Sequence, residues 1–312
     1  MNKRDLILSL LDKGKKQEFI PAGFFLHFDQ IYHRGLASVG KHLEFFRHTG
    51  MDFVKIQFER NFPFRPELKK SDDWANMPLY KKDFYEDSLE VVKGLVERTK
   101  KDAMVIMTLY SPFMCARHTS QGKITDHMKE NPEKAKKGIQ IITESLMIFV
   151  KECINLGIDG FYHSTQGAES FRSIGALFKE CIKPYDLILM EEINKTCLFN
   201  ILHICDIHGM YSDLTPFLDY PGHIVNCGLQ AESRKMTGKE VSKMFNRPYM
   251  GGIDRKGIIL SGSEDEIRHM VEEVLDSAPE KFILGADCTL PSEVNWNNIK
   301  IAISKAHEYK RK

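Results

Sequence analysis

Hydrophobic and polar positions along this chain are arranged in blocks. Eight short apolar or β-branched runs recur: AGFFLHFD (22–29), MDFVKIQFE (51–59), AMVIMTLYS (103–111), IDGFYHST (158–165), LFNILHICD (198–206), GHIVNCGL (222–229), RPYMGGID (247–254) and KFILGADC (281–288). Each run ends in polar residues. Between the runs lie segments whose apolar positions recur at helical spacing, such as DSLEVVKGLVERTKK and EDEIRHMVEEVLDSA. Strands alternating with helices give a parallel sheet, whose strands are buried on both faces. Eight such units in 312 residues predict an α/β protein, a (β/α)8 barrel that takes up residues 1–312 as one domain. An open doubly wound sheet is the rival. Such sheets usually carry a glycine-rich phosphate loop after an early strand, and the chain has neither G-x-G-x-x-G nor a P-loop.

Local punctuation sharpens two segments. Asn131-Pro132-Glu133 reads as an N-cap with proline at the first helical position, opening a helix that runs to Gly157. Residues 60–80, RNFPFRPELKKSDDWANMPLY, are long, aromatic and rich in proline. They read either as a loop over the barrel mouth that closes on a substrate or as a surface excursion packed on itself. The opening MNKRDLILSLLDKGKKQE has the period of a short amphipathic helix rather than a signal peptide.

Composition narrows the function classes. Net charge is +1 with 28% charged residues, which argues against nucleic-acid binding by bulk charge and against a polybasic membrane patch. No run approaches the ~20 apolar residues of a membrane span. The seven cysteines are odd in number and irregular in spacing, the pattern of reduced thiols in a cytoplasmic protein.

Barrel proteins place their chemistry at the C-terminal ends of the strands. The polar residues there include His27, Gln57, Tyr110, His163, Gln166, Asn226 and Asp254, which are expected to line a substrate pocket. Soft metal ligands fall at His203, Cys205 and Cys288. Residues two apart in a strand point to the same side, so His203 and Cys205 can meet one ion, with Ile204 packed on the opposite side. Closure of the barrel would bring Cys288 across the mouth. One nitrogen and two thiolates with an open fourth position is the catalytic form of a zinc site. The alternative is a core histidine beside two buried thiols, and Cys227 is a second candidate for third ligand.

These residues carry a family resemblance. IDGFYHSTQGAE, FNILHICD, IVNCGLQ, MGGIDRKGIILSGSEDEI and FILGADCTLPSEVNWNNIKIA resemble the uroporphyrinogen decarboxylase superfamily. More narrowly, they resemble its zinc-dependent, corrinoid-linked methyltransferases, among them the methylcobamide:coenzyme M methyltransferases. The resemblance implies a (β/α)8 barrel and a Zn²⁺ held by His203, Cys205 and Cys288 as catalytic centre. It also implies methyl transfer between a corrinoid (cobalamin) protein and a small-molecule thiol or methylated substrate. The sequence has no D-x-H-x-x-G, the usual cobalt-ligating motif, so the corrinoid is expected on a separate protein.

Two other functions follow from the same family. One is a decarboxylase acting on an acidic substrate without zinc, with Arg34, Arg60, Arg65, Arg117 and Arg255 as its pool of cations. The decarboxylases carry an arginine-rich segment after the first strand, where this chain has LHFDQIYHRG, and an aspartate where Gln57 stands. The other is a non-catalytic corrinoid-binding partner. Asp206 stands where the methyltransferases often have glycine, and Asp287 adds a second acidic group beside the thiols.

Overall fold

The computed structural model describes residues 2–12 and 14–311. Seven parallel strands form one sheet: β1 (Phe53–Ile56), β2 (Met104–Tyr110), β3 (Gly160–Thr165), β4 (Ile201–Ile204), β5 (Ile224–Cys227), β6 (Tyr249–Ile253) and β7 (Phe282–Ala286). They lie in sequence order, each paired with the next. Register runs Lys55 beside Ile106, His163 beside Leu202, and His203 beside Asn226.

The strands are buried on both faces because two apolar cores flank them. The concave interior holds Phe25, Phe53, Met104, Ile106, Tyr162, Phe199, Ile201, Ile224, Met250 and Ile283. A larger core lies between sheet and helices, and Ile204 and Cys227 belong to it. Strand alternation assigns each residue to one core or the other. The N-terminal helix, Lys3–Ser9, contributes Ile7 to the interior core, and Leu10 follows it there.

The first run, 22–29, departs from expectation, so the eight-stranded barrel reduces to seven regular strands. The segment touches β7 through isolated bridges, Ala22 with Leu284 and Leu26 with Leu290. On the β1 side one backbone bond remains, from the Asp52 amide to Ala22 O at 3.0 Å, and side chains replace the rest of the ladder. Asp52 Oδ2 accepts from the Ala22 amide at 2.8 Å, Met51 Sδ from the Phe24 amide at 3.3 Å, and Gln57 Nε2 donates to Leu26 O at 2.8 Å. A sheet hydrogen bond needs a backbone partner at each step, and here side chains satisfy those groups instead.

The long helix begins as expected. Asn131 Oδ1 accepts from the Lys134 amide, Pro132 is the first helical residue, and the helix runs Pro132–Asn155. Gly157 follows at φ +86°, a left-handed conformation suited to glycine. Residues 60–80 take neither of their two expected forms outright, because the segment docks on this helix rather than only on itself. Trp74 is fully buried against this helix, where even one methyl group on Gly138 would collide with its ring. Its Nε1 donates to His127 Nδ1 at 2.9 Å. Among the described residues, no helix is long and apolar enough to cross a membrane.

One buried carboxyl joins three elements. Asp186, on the helix Lys183–Thr196, accepts at Oδ2 from Thr165 Oγ1 (2.5 Å) and Tyr220 OH (3.0 Å). Burial pushes its pKa up to about 7, against these hydrogen bonds. The folded protein therefore holds a proton that the unfolded chain releases above about pH 4. Stability from this group is fully present below that pH and is lost as pH rises toward 7. Asp186→Asn keeps an acceptor and removes the ionisation. Its denaturant-unfolding free energy should fall less than the wild type's between pH 4.5 and 7.5, by a margin on the order of 1–3 kcal/mol. Equal slopes would contradict this assignment.

Candidate functional site

His203 is the third residue of β4 and Cys205 follows the strand directly. The Cys205 amide still donates to Thr165 O at 3.1 Å, so the backbone stays extended one residue past the strand and Cys205 keeps the side of His203. Cys288 lies two residues past β7, where the Asp287 amide likewise continues the ladder to Ile253 O at 2.9 Å. The curl of the sheet then brings the two ends together. Cys288 Sγ is 3.4 Å from His203 Nε2 and 3.9 Å from Cys205 Sγ. All three donor atoms fall within 4.8 Å of one another, and all three residues are buried.

The surroundings fix this trio. The His203 ring stacks on Tyr162 at 4.8 Å between centroids. Tyr162 is held in turn by its hydroxyl, which donates to Asn226 Oδ1 at 2.5 Å. Gln166 Nε2 donates to Cys205 Sγ at 3.2 Å. His203 Nδ1 is buried and has no hydrogen-bond partner among the described residues. The two thiols share a proton unequally. A hydrogen bond from Cys288 holds Cys205 well below the usual thiol range, with His203 helping, and the same contact pushes Cys288 up. The contact thus favours the thiolate at Cys205 over one at Cys288. One imidazole nitrogen and two thiols converging in this way form a donor set for a soft or borderline divalent metal.

The trio opens into a cavity of about 360 Å³. Of the residues expected to line a pocket, His27, Gln57, Tyr110 and Gln166 are on its wall. Gln57 is largely occupied with structure, donating to Leu26 O and accepting from Lys55 Nζ at 2.6 Å. Three others lie off the wall. His163 faces the outer side of β3, fully buried, and burial drives its pKa down to about 3, so it is a neutral core residue. Asn226 sits beneath the trio and donates to Met250 O and Ala286 O. Asp254 is exposed and caps a turn, accepting from the Lys256 amide at 2.8 Å. Cys227, weighed as a third ligand, alternates to the outer core.

Sequence reasoning gave no pocket role to Lys55 or His118 and counted Arg255 only among the decarboxylase cations, yet all three are on the wall. Lys55 is two residues before Gln57 on the same side of the strand, so strand periodicity held its signal. It is 5% exposed, and its ammonium lies 4.4 and 4.5 Å from the ring centroids of Phe25 and Tyr162. Burial lowers its pKa to about 7, with Cys288, Glu59 and Cys205 opposing. His118, on the helix Pro112–Ser120, is kept neutral by burial and by Arg117, at a pKa of about 4. Arg255 accounts for the two unexpected aspartates. Its Nη1 lies 2.9 Å from Asp206 Oδ1 and 2.7 Å from Asp287 Oδ2, and its amide donates to Asp287 Oδ1. A larger cleft of about 760 Å³ opens beside the N-terminal ends of β5, β6 and β7. It holds none of the trio.

Fold and site together define a parallel α/β protein of the barrel-like class, with a nitrogen–sulfur donor set at its C-terminal strand ends. The family model for uroporphyrinogen decarboxylase (URO-D) matches residues 51–309, and the chain belongs to that family. A curated relative is the methylcobamide:CoM methyltransferase MtbA of Methanosarcina acetivorans, 22% identical over 223 residues. The match covers 71% of this chain and 63% of the relative, so the chain spans a little under two-thirds of that protein's length. Among solved structures, a methyltransferase from Methanosarcina mazei superposes with a TM-score of 0.76 at 14% identity, covering 99% of both chains. A B12-independent methionine synthase from Shewanella sp. W3-18-1, in complex with selenomethionine, reaches 0.55 at 13% identity, covering 93% of this chain and 95% of that one. These structural likenesses establish the shared fold.

The clamp around Arg255 gives a test of the site's electrostatics. Arg255→Leu leaves Asp206 and Asp287 facing each other without a cation. Unfolding should show a loss of about 1–3 kcal/mol, and Asp206→Asn added to it should restore part of the loss. Strict additivity of the two changes would contradict the clamp.

Proposed function

We propose that this protein is a zinc-dependent methyltransferase. It moves a methyl group between a corrinoid carried on a separate protein and a small-molecule thiol or methylated substrate. The observation that carries this reading is the meeting of His203, Cys205 and Cys288 at one buried point of a small cavity. Tetrahedral zinc with Zn–S about 2.3 Å and Zn–N about 2.05 Å places two sulfurs about 3.8 Å apart and sulfur and nitrogen about 3.6 Å apart. The protein's own spacings of 3.9 and 3.4 Å fit that geometry. When bound, zinc would lower the pKa of a substrate thiol at its open position or, in the reverse direction, polarise a leaving heteroatom.

The remaining residues have assignable tasks. Gln166 holds Cys205 in place, and Tyr162 holds the plane of His203. Arg255 absorbs the charge of Asp206 and Asp287, so their carboxylates do not repel a substrate anion. Tyr110, His27 and His118 form the wall against which a small substrate is positioned. The MtbA relative supports methylcobamide and a thiol as the kinds of substrate.

The decarboxylase reading has less support. An acidic substrate with several carboxylates needs several fixed cations. Of the five candidate arginines, Arg255 alone is on the cavity wall, and it is engaged with two aspartates. Arg34 lies near Asp87, Arg65 pairs with Glu67, and Arg60 donates to Phe84 O.

Metal analysis of the purified protein should find about one zinc per chain. Methylcobalamin should lose its methyl group to a small thiol in its presence, followed by the visible spectrum. Cys205→Ser should lose both properties. Protein free of zinc after growth in zinc-supplemented medium, or a Cys205→Ser variant that keeps metal and transfer, would reject the assignment.

A further inference from the structure

Methyl transfer to a thiol releases a proton, and nothing assigned so far receives it. Four side chains on the cavity wall have a chemistry suited to it: Lys55, His118, His208 and His27. Burial and Arg117 hold the pKa of His118 down to about 4, and burial lowers that of His208 as well. Lys55 is committed to Gln57 and sandwiched between two rings. His27 is arranged differently. Its Nδ1 is 2.9 Å from Glu59 Oε1, and its Nε2 makes no hydrogen bond among the described residues. The side chain is 40% exposed and lines the cavity, while that of Glu59 is only 14% exposed. Glu59 is anchored from a second side by His33, whose Nε2 lies 3.7 Å from Oε2 and 3.0 Å from Phe28 O. Despite burial, the hydrogen bond with His27 keeps the Glu59 carboxyl below its usual range.

Backbone connections place this pair beside the thiol site. Leu26 bridges Leu290, two residues beyond Cys288, and the Leu290 amide donates to Phe25 O at 2.7 Å. His27 therefore sits one residue along from the point where the first segment meets the Cys288 loop. A carboxylate that accepts from Nδ1–H fixes the tautomer with Nε2 basic and stabilises the imidazolium when it forms. A nitrogen so prepared, without a hydrogen-bond partner among the described residues and on a side chain that lines the cavity, is suited to take a proton.

We propose that His27 is the catalytic base of this cavity and that Glu59 is its positioning residue. The proposal rests on the methyltransferase reading above. In the thiol-methylating direction the S–H bond breaks, its proton passes to His27 Nε2, directly or through one water, and the electron pair stays on sulfur. Sulfur then bonds the methyl carbon of the corrinoid substrate, and the carbon–cobalt bond breaks with its pair left on cobalt. In the opposite direction His27 returns the proton to sulfur. Besides the three donor residues, the charged and titratable groups that share the cavity or flank the pair are Glu59, His33, His42, Lys55, Tyr110, His118, Tyr162, His208, Arg255 and Lys256.

The test uses the zinc-loaded full chain, methylcobalamin as donor and 2-mercaptoethanol as an uncharged acceptor, with rates measured from pH 5.5 to 9. His27→Gln should lower kcat about a hundredfold, change KM for the thiol far less, and erase the acid limb of the kcat profile. Glu59→Gln should lower kcat and leave KM for the thiol nearly unchanged, because the ring loses the partner that fixes its tautomer, and Glu59→Asp should recover most of the rate. Zinc content and circular dichroism should match the wild type in all three. Wild-type kcat and an unchanged acid limb in His27→Gln overturn the proposal, as does loss of zinc from that variant, which would make His27 structural. If the wild type itself transfers no methyl group to any thiol while holding zinc, the methyltransferase reading fails and the base assignment falls with it. A transferring wild type with an indifferent His27→Gln rejects the base assignment alone.

Discussion

Everything at the site depends on how far the parallel sheet curls. His203 and Cys288 are 85 positions apart in the chain and belong to strands three steps apart in the sheet, yet their donor atoms are 3.4 Å apart. Each parallel strand is rotated relative to its neighbour, and the rotation accumulates. The apolar interior, from Phe25 through Phe53 and Tyr162 to Ile283, sets the radius at which the curl stops. Strand pairing then fixes the height of each residue, and one slip of register would turn His203 and Cys205 into the outer core. The donor set is thus a consequence of packing and twist rather than of any local motif.

Charge is the second organising feature. Two thiols that share one proton unequally, a nearly desolvated ammonium at Lys55 and a guanidinium held between two carboxylates all border one cavity. The wall itself carries no aspartate or glutamate among the described residues. Buried charge is costly unless compensated. Asp206 and Asp287 bring negative charge close to the thiols, and Arg255 removes most of its effect. An acidic pair that looked hostile to an anionic nucleophile becomes half of a neutralising clamp.

Much of this was legible in the sequence. All seven strands lie within runs marked by apolar patterning, because burial on both faces requires continuous apolar residues. His203 and Cys205 could be paired by strand periodicity alone, and the cap at Asn131 by its proline. What could not be read was anything decided by side chains reaching between elements. The run 22–29 has the composition of a strand, but Asp52, Met51 and Gln57 occupy its backbone groups on one side. His163 and Asn226 are polar residues at strand ends, yet one faces the outer core and the other is spent on holding Tyr162 and two carbonyls. The role of Arg255 depends on a loop that the pattern leaves blank.

The proposed function requires that His203, Cys205 and Cys288 together hold a zinc ion whose open position accepts sulfur. X-ray absorption at the zinc edge of the purified protein measures this directly. It should show a first shell of two sulfurs at about 2.3 Å and one imidazole nitrogen completed by a lighter atom, and a third sulfur should appear when a small thiol is added. A shell of oxygen and nitrogen alone, or two sulfurs unchanged by saturating thiol, would contradict it.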